Sequence, residues 1–298
     1  AYYDCHLASG RLRLIQQEQI PGYDARRYVT RRGWAPARDG VRIPFTAVWR
    51  RGQQRPGGQP VLIFAYGAYG TNIPPWFDQA RLPLLDRGFV YIMAHVRGGS
   101  ELGSAWYHMS RKHTTATSAA DLQDCATHLI ATGLAAPSML CAETLSAGGI
   151  AIGHAVNTQP HLFRAVIARA PFVDPLTSIA DPTVPLTVAE YEEWGDPSRR
   201  EDWHAMCQYA PYDNIRSQAY PAMLVTTNIH DTNVPFWEPV KWVARLRRAN
   251  RGPHPILLVP RRHADHDGPS GRSRRQRECA VEWTFLLQAV GLAKRGDK

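Results

Sequence analysis

A chain of 298 residues that is 44% hydrophobic and 20% charged has the composition of a folded globular protein, in one large domain or two modest ones, which excludes disorder as its main state. Its best apolar runs, 61–65 and 89–94, are of strand length and fall far short of the ~18 residues a membrane helix needs. The formal charge of +9 raises nucleic acid as a partner, but the arginines gather at 245–251 and 272–277, beside helical periodicities and without interleaved aromatics. They read as solvated helix faces, so neither nucleic acid nor a membrane is expected as a partner.

Residues 2–15 form two short alternating segments around an Ala8-Ser9-Gly10 turn, the pattern of a β-hairpin. One hairpin is not a domain. After the Pro21-Gly22 break the chain alternates short apolar β-rich runs with helical periods. Strands are expected at 61–65, 89–94, 138–142, 163–168, 222–227 and 255–259, and helices at 119–132, 147–157, 238–248 and 274–290. Strands buried on both faces and separated by helices indicate βαβ units, hence an α/β fold with a mostly parallel sheet. Residues 171–221, rich in Pro, Asp, Glu and Trp, break the alternation and read as an insertion of the kind that shapes a substrate pocket. Five scattered cysteines without Cys-x-x-Cys spacing fit reduced thiols better than disulfides or zinc. With no Asn-x-Ser/Thr sequon and no secretion signal at its start, the expected location is cytoplasmic.

The run Met139-Leu-Cys-Ala-Glu-Thr-Leu-Ser146-Ala-Gly-Gly sets a serine between an apolar strand and a helix that starts with glycines. That is the setting of a nucleophile elbow. Small residues at Ala147, Gly148 and Gly149 permit the strained backbone that exposes such a hydroxyl, and the Ala147 amide would face a developing oxyanion. Thr144, however, stands where the G-x-S-x-G pattern has its first glycine, and a serine here also suits a plain helix cap. The motif alone leaves both readings open. In α/β-hydrolases the acid and histidine follow in loops after later strands. Asp231 closes the apolar stretch 222–231, and the loop after 256–259 carries His263, Asp265 and His266. The two histidines would also suit a metal pair, but no H-E-x-x-H helix or third ligand accompanies them, and no metal is expected.

Nine segments, in order and over nearly the whole chain, resemble the prolyl oligopeptidase family and within it the oligopeptidase B group. They are Ala37-Arg-Asp-Gly-Val-Arg-Ile-Pro, Tyr66-Gly-Ala-Tyr-Gly, His95-Val-Arg-Gly-Gly-Ser-Glu-Leu-Gly, Leu145-Ser-Ala-Gly-Gly, Ala170-Pro-Phe-Val-Asp, Pro185-Leu-Thr-Val-Ala-Glu-Tyr-Glu-Glu-Trp-Gly-Asp-Pro, Tyr212-Asp-Asn, Trp237-Glu-Pro-Val-Lys-Trp-Val-Ala and Ser270-Gly-Arg. The resemblance implies an α/β-hydrolase catalytic domain over 21–298 with Ser146, Asp231 and His266 as its triad. His266 rather than His263 is the match because it stands four residues before Ser270-Gly-Arg. Tyr66 matches a tyrosine whose hydroxyl is the second oxyanion donor beside the Ala147 amide. A phenol donates strongly and stays protonated at neutral pH, although the same tyrosine fits a strand-end turn with its ring in the core.

In oligopeptidase B the acidic stretch matching Glu190-Tyr-Glu192-Glu193-Trp is associated with Lys or Arg before the scissile bond. Glu190 and Glu192 are accordingly placed in that pocket, a solvated acidic turn being the other reading. The expected activity is hydrolysis of short peptides after basic residues through an acyl-enzyme, without a cofactor. The alternatives are an esterase or thioesterase, and a silent fold kept as a binding partner. Thr144 crowds the elbow, Asn233 replaces an arginine of the prolyl branch, and Asp265 and Asp267 flank His266 where they would favour an imidazolium, so reduced activity is expected. Family members carry an N-terminal β-propeller that screens out folded proteins. The hairpin resembles its last strands, which makes residues 1–20 a remnant and linker and the chain a fragment, a processed form or a propeller-less paralogue. Apolar surface left uncovered would then favour association.

Overall fold

The computed structural model of the chain describes residues 1–53 and 55–293. Strands β1 (Tyr2–His6) and β2 (Arg11–Gln16) pair antiparallel into a two-stranded ribbon of their own. The chain then builds β3 (Tyr28–Pro36), β4 (Arg42–Arg50), β5 (Gln59–Phe64), α1 (Leu82–Leu85), β6 (Val90–Ala94), α2 (Ser104–His108), α3 (Ala116–Ala131), β7 (Ala135–Leu145) and α4 (Gly148–Thr158). After β8 (Ala165–Arg169) come three helices without a strand between them, α5 (Pro175–Ser178), α6 (Thr187–Trp194) and α7 (Arg200–Tyr209). The chain continues with β9 (Ala222–Asn228), α8 (Trp237–Ala249), β10 (Ile256–Arg261) and α9 (Arg272–Ala289).

Eight strands form one sheet in the order β10-β9-β8-β7-β5-β6-β4-β3. The run from β10 to β6 is parallel, and β4 and β3 extend it antiparallel at one edge. All six parallel strands were expected within a few residues, because β5, β6, β8 and β9 are buried along nearly their whole length and so are mostly apolar, while β7 and the edge strand β10 keep shorter apolar runs at 139–142 and 256–259. β3 and β4 were not. Their sequences carry Arg31, Arg32, Arg42 and Arg50, as an edge hairpin with one wet face allows, and they contain no continuous apolar run.

The order fixes where a site can form. From β5 the chain proceeds to β6 on one side, and from β7 it proceeds through β8, β9 and β10 on the other. The reversal lies between neighbours β5 and β7, and crevices that bind ligands open at the carboxyl ends of strands at such a point. One core packs α3, α4 and α8 against the sheet through Leu122, Ile152 and Trp242, and another seats α9 on the opposite face through Trp283 and Leu286. A third cluster, with Trp194, Met206 and Tyr209, holds the 171–221 segment over the carboxyl ends of the strands. That insertion is therefore helical and caps the crevice.

Candidate active site

Tyr66 follows β5 and Ser146 follows β7, so the switch point brings them together, while Asp231 follows β9 and His266 follows β10. Ser146 has φ 53°, left-handed backbone that a non-glycine residue adopts at a cost of about 1–3 kcal/mol. Its amide donates to the Arg169 carbonyl at 2.9 Å, and its carbonyl accepts from Phe172 N at 2.9 Å and Gly149 N at 2.8 Å. Those three bonds fix the turn and leave the hydroxyl free to point at the crevice.

His266 Nε2 lies 2.8 Å from Ser146 Oγ, and its Nδ1 lies 2.9 Å from both oxygens of Asp231. A ring nitrogen facing a carboxylate carries the proton, which makes Nε2 the acceptor for the serine hydroxyl. Asp231 is shut off from solvent with its side chain 1% exposed. Burial pushes its carboxyl up, but His266 and the amides of Val234 and Asn233, each at 2.9 Å, outweigh this and hold it below the usual aspartate range. It is a carboxylate at neutral pH. His263 is exposed, as are Asp265 and Asp267, and the ion-pair partner of His266 is Asp231. The loop thus delivers one of its two histidines to the serine.

Tyr66 and Ala147 line a cavity of about 350 Å³ together with Ser146 and His266. Burial, helped by the charges of Glu190 and Glu193 and opposed by a hydrogen bond with Ser146, raises the Tyr66 phenol above its ordinary value. It is therefore a proton-bearing donor. The insertion supplies the opposite wall through Phe172, Leu186, Glu190 and Trp194. Glu190 Oε2 accepts from the Tyr69 hydroxyl at 2.7 Å and from Trp194 Nε1 at 3.0 Å, leaving Oε1 with no protein donor among the described residues. Glu192 does not join it. Its side chain is 80% exposed and pairs with Arg111 at 2.7 Å and Lys112 at 3.5 Å outside the cavity. Residues two apart on a helix do not share a face, so a pocket that takes Glu190 of α6 cannot also take Glu192.

The sequence profile of the prolyl oligopeptidase family matches residues 75–293. The chain belongs to the prolyl oligopeptidase family. Over 98% of its length it is 42% identical to dipeptidyl aminopeptidase BI of Pseudoxanthomonas mexicana, and over 97% it is 38% identical to protease 2 of Moraxella lacunata, covering 41% and 42% of those proteins. Oligopeptidase B from Leishmania major superposes with a TM-score of 0.95 at 34% identity, over 97% of this chain and 40% of that one. Oligopeptidase B from Trypanosoma brucei with covalently bound antipain gives the same TM-score at 36% identity, over 98% and 41%. The chain spans about two-fifths of the length of these relatives.

Within this prolyl oligopeptidase domain, three acidic or aromatic groups escaped the sequence reading. Glu193 is buried, accepting the Tyr69 amide at 2.6 Å and the Tyr107 hydroxyl; the i, i+3 spacing from Glu190 was the available signal. Tyr69 itself sits at φ 59°. Glu238, in the first turn of α8, lines the cavity floor yet has no solvent exposure. Burial raises its carboxyl to about 7 against the hydrogen bonds it accepts from Ser178 Oγ and the amides of Val173 and Asp174.

Proposed function

We propose that this chain is a serine peptidase domain that hydrolyses short peptides after Arg or Lys through an acyl-enzyme on Ser146. The feature that carries this is the unbroken row Asp231, His266, Ser146, ending at a serine held at positive φ beside Tyr66 and the Ala147 amide. In the first half-reaction Ser146 Oγ attacks the carbonyl carbon while His266 Nε2 takes its proton, and Asp231 stabilises the imidazolium so formed. The carbonyl electron pair moves to oxygen, where the Tyr66 hydroxyl and the Ala147 amide receive the charge. His266 then gives its proton to the leaving nitrogen as the C–N bond breaks. Water repeats the sequence on the ester, returning Ser146 and releasing the acid. The scheme calls for no cofactor or metal.

The basic preference is supported by Glu190, which lines the cavity with its Oε2 held by Tyr69 and Trp194 and its Oε1 without a protein donor among the described residues. A guanidinium or ammonium satisfies that oxygen, whereas a neutral side chain leaves it desolvated and unpaired. The covalent complex named for the similar Trypanosoma enzyme supports the covalent step.

A small uncharged fluorophosphonate tests the nucleophile, because that chemistry requires an activated serine. Peptide mapping is expected to place one label per chain on Ser146, absent from Ser146→Ala. Folded protein without label would sink the assignment. Arginyl and lysyl amides are then expected to be cleaved at least tenfold faster than neutral ones at low substrate concentration.

A further inference from the structure

Helix α6 is eight residues long, and its period decides which of its acids act together. Residues three apart share a face and residues two apart do not. Glu190 and Glu193 accordingly both meet Tyr69 of the turn that starts at Tyr66, while Glu192 pairs with Arg111 on the outside. Glu193 is 5% exposed, and both its oxygens are committed, Oε1 to the Tyr69 amide at 2.6 Å and Oε2 to the Tyr107 hydroxyl. The amide it holds belongs to a non-glycine residue at φ 59°, a conformation that persists only where the surroundings impose it. Beneath, the turn has no slack: a Cβ on Gly98 would lie 2.1 Å from the Gly67 carbonyl oxygen.

From this geometry we propose that Glu193 is a positioning residue, whose buried carboxylate holds the 66–70 turn in the strained form that aims the Tyr66 hydroxyl at the oxyanion and ties that donor to the acidic wall of the cavity. The inference rests on Ser146 as nucleophile and Tyr66 as oxyanion donor. Tyr69 is the hinge of the coupling, giving its amide to Glu193 and its hydroxyl to Glu190. A cation at the open oxygen of Glu190 therefore acts on the residue whose backbone sets the oxyanion turn. Glu193 does not line the cavity, so its loss removes no substrate contact and acts on kcat, not on KM.

The test measures the rate of Ser146 labelling by an uncharged fluorophosphonate, together with kcat and KM for an arginyl amide and a neutral ester. Glu193→Gln, which still offers the Tyr69 amide an acceptor, is expected to slow labelling and both kcat values about tenfold, and Glu193→Ala about a hundredfold. KM for the arginyl amide stays within about twofold in both. Glu190→Gln, which alters a group that lines the cavity, is expected to raise that KM at least tenfold, a change the Glu193 variants do not make. The proposal is overturned by Glu193 variants that change only the arginyl KM, or that label as fast as wild type. Should Glu193→Ala not fold, Tyr107→Phe decides on the same rates, since it removes one hydrogen bond from Glu193 at a partly exposed side chain. Wild type that never labels at Ser146 overturns the nucleophile and this role together. Wild type that labels without arginyl preference overturns only the Glu190 pocket, and the Glu193 comparison still reads on labelling.

Discussion

At Thr144 the elbow carries a β-branched residue where the pattern for this turn has glycine, and the structure shows how the turn takes it. Thr144 is 1% exposed and its Oγ1 donates to the Ala65 carbonyl at 2.7 Å, one residue before Tyr66. The space it uses is taken from Gly148, where an added Cβ would lie 2.0 Å from that same Oγ1. The departure and the glycine are one device. Gly148→Ala is expected to destabilise by about 1–3 kcal/mol through overpacking, and Thr144→Ala by a similar amount through the buried carbonyl left without its donor. Because one clash underlies the first loss, the double variant should be less destabilised than the two losses added, by about 1 kcal/mol or more. Urea unfolding of the four proteins measures the coupling, and strict additivity would refute the pairing. Chain order and strand-end placement pointed to Ser146, to Asp231 and to a histidine in the loop after β10, constraints that are linear in sequence, whereas the choice of His266 over His263 came from the resemblance around Ser270-Gly-Arg. The Thr144–Gly148 exchange was not legible, because it depends on how two turns meet.

The same divide separates the elements that were readable from those that were not. Apolar strands and long amphipathic helices announce themselves by period, and the helices at Ala116–Ala131, Gly148–Thr158, Trp237–Ala249 and Arg272–Ala289 lie within a few residues of expectation. Eight-residue α6 is too short and too polar to do so, and without its helical period the resemblance put Glu192 beside Glu190 in the pocket. Helix α8 holds another hidden feature in the buried Glu238 of its first turn, a favourable place for a negative charge. Burial nonetheless raises its carboxyl from 4.5 to about 7, so across that window the folded chain holds a proton that the unfolded chain has released. Stability from this group is present at low pH, falls as pH rises from 4.5 towards 7, and stays lower above. Glu238→Gln keeps a neutral amide in the same contacts and removes the titration. Its melting temperature is expected to gain on wild type steadily between about pH 5 and about pH 8, by an amount worth roughly 3 kcal/mol at the top, since one pKa unit is worth about 1.4 kcal/mol. A gap that is flat across that range, or that closes, would show that Glu238 titrates normally.

At the scale of the whole molecule, two parts with unequal means of support share one chain. The eight-stranded sheet buries apolar residues on both faces and has its own cores. The β1–β2 ribbon has every residue exposed, among them Tyr2, Leu7, Leu12 and Ile15, and pairs with no strand of the large sheet. A lone two-stranded hairpin is marginal in water, and one with open edges and uncovered apolar side chains is a template for pairing with another chain. Two consequences follow for a variant that lacks residues 1–20. Its thermal unfolding should match that of the full chain within about 2 °C, because little that the ribbon contacts belongs to the cooperative core. Its sedimentation should be closer to that of a single species at concentrations where the full chain associates. A drop in melting temperature of about 5 °C or more would mean that the ribbon folds down onto the sheet in solution. Unchanged association would mean that the sticky surface lies elsewhere, with the exposed aromatics Trp76, Phe77, Phe236 and Trp237 as the side chains that would then account for it.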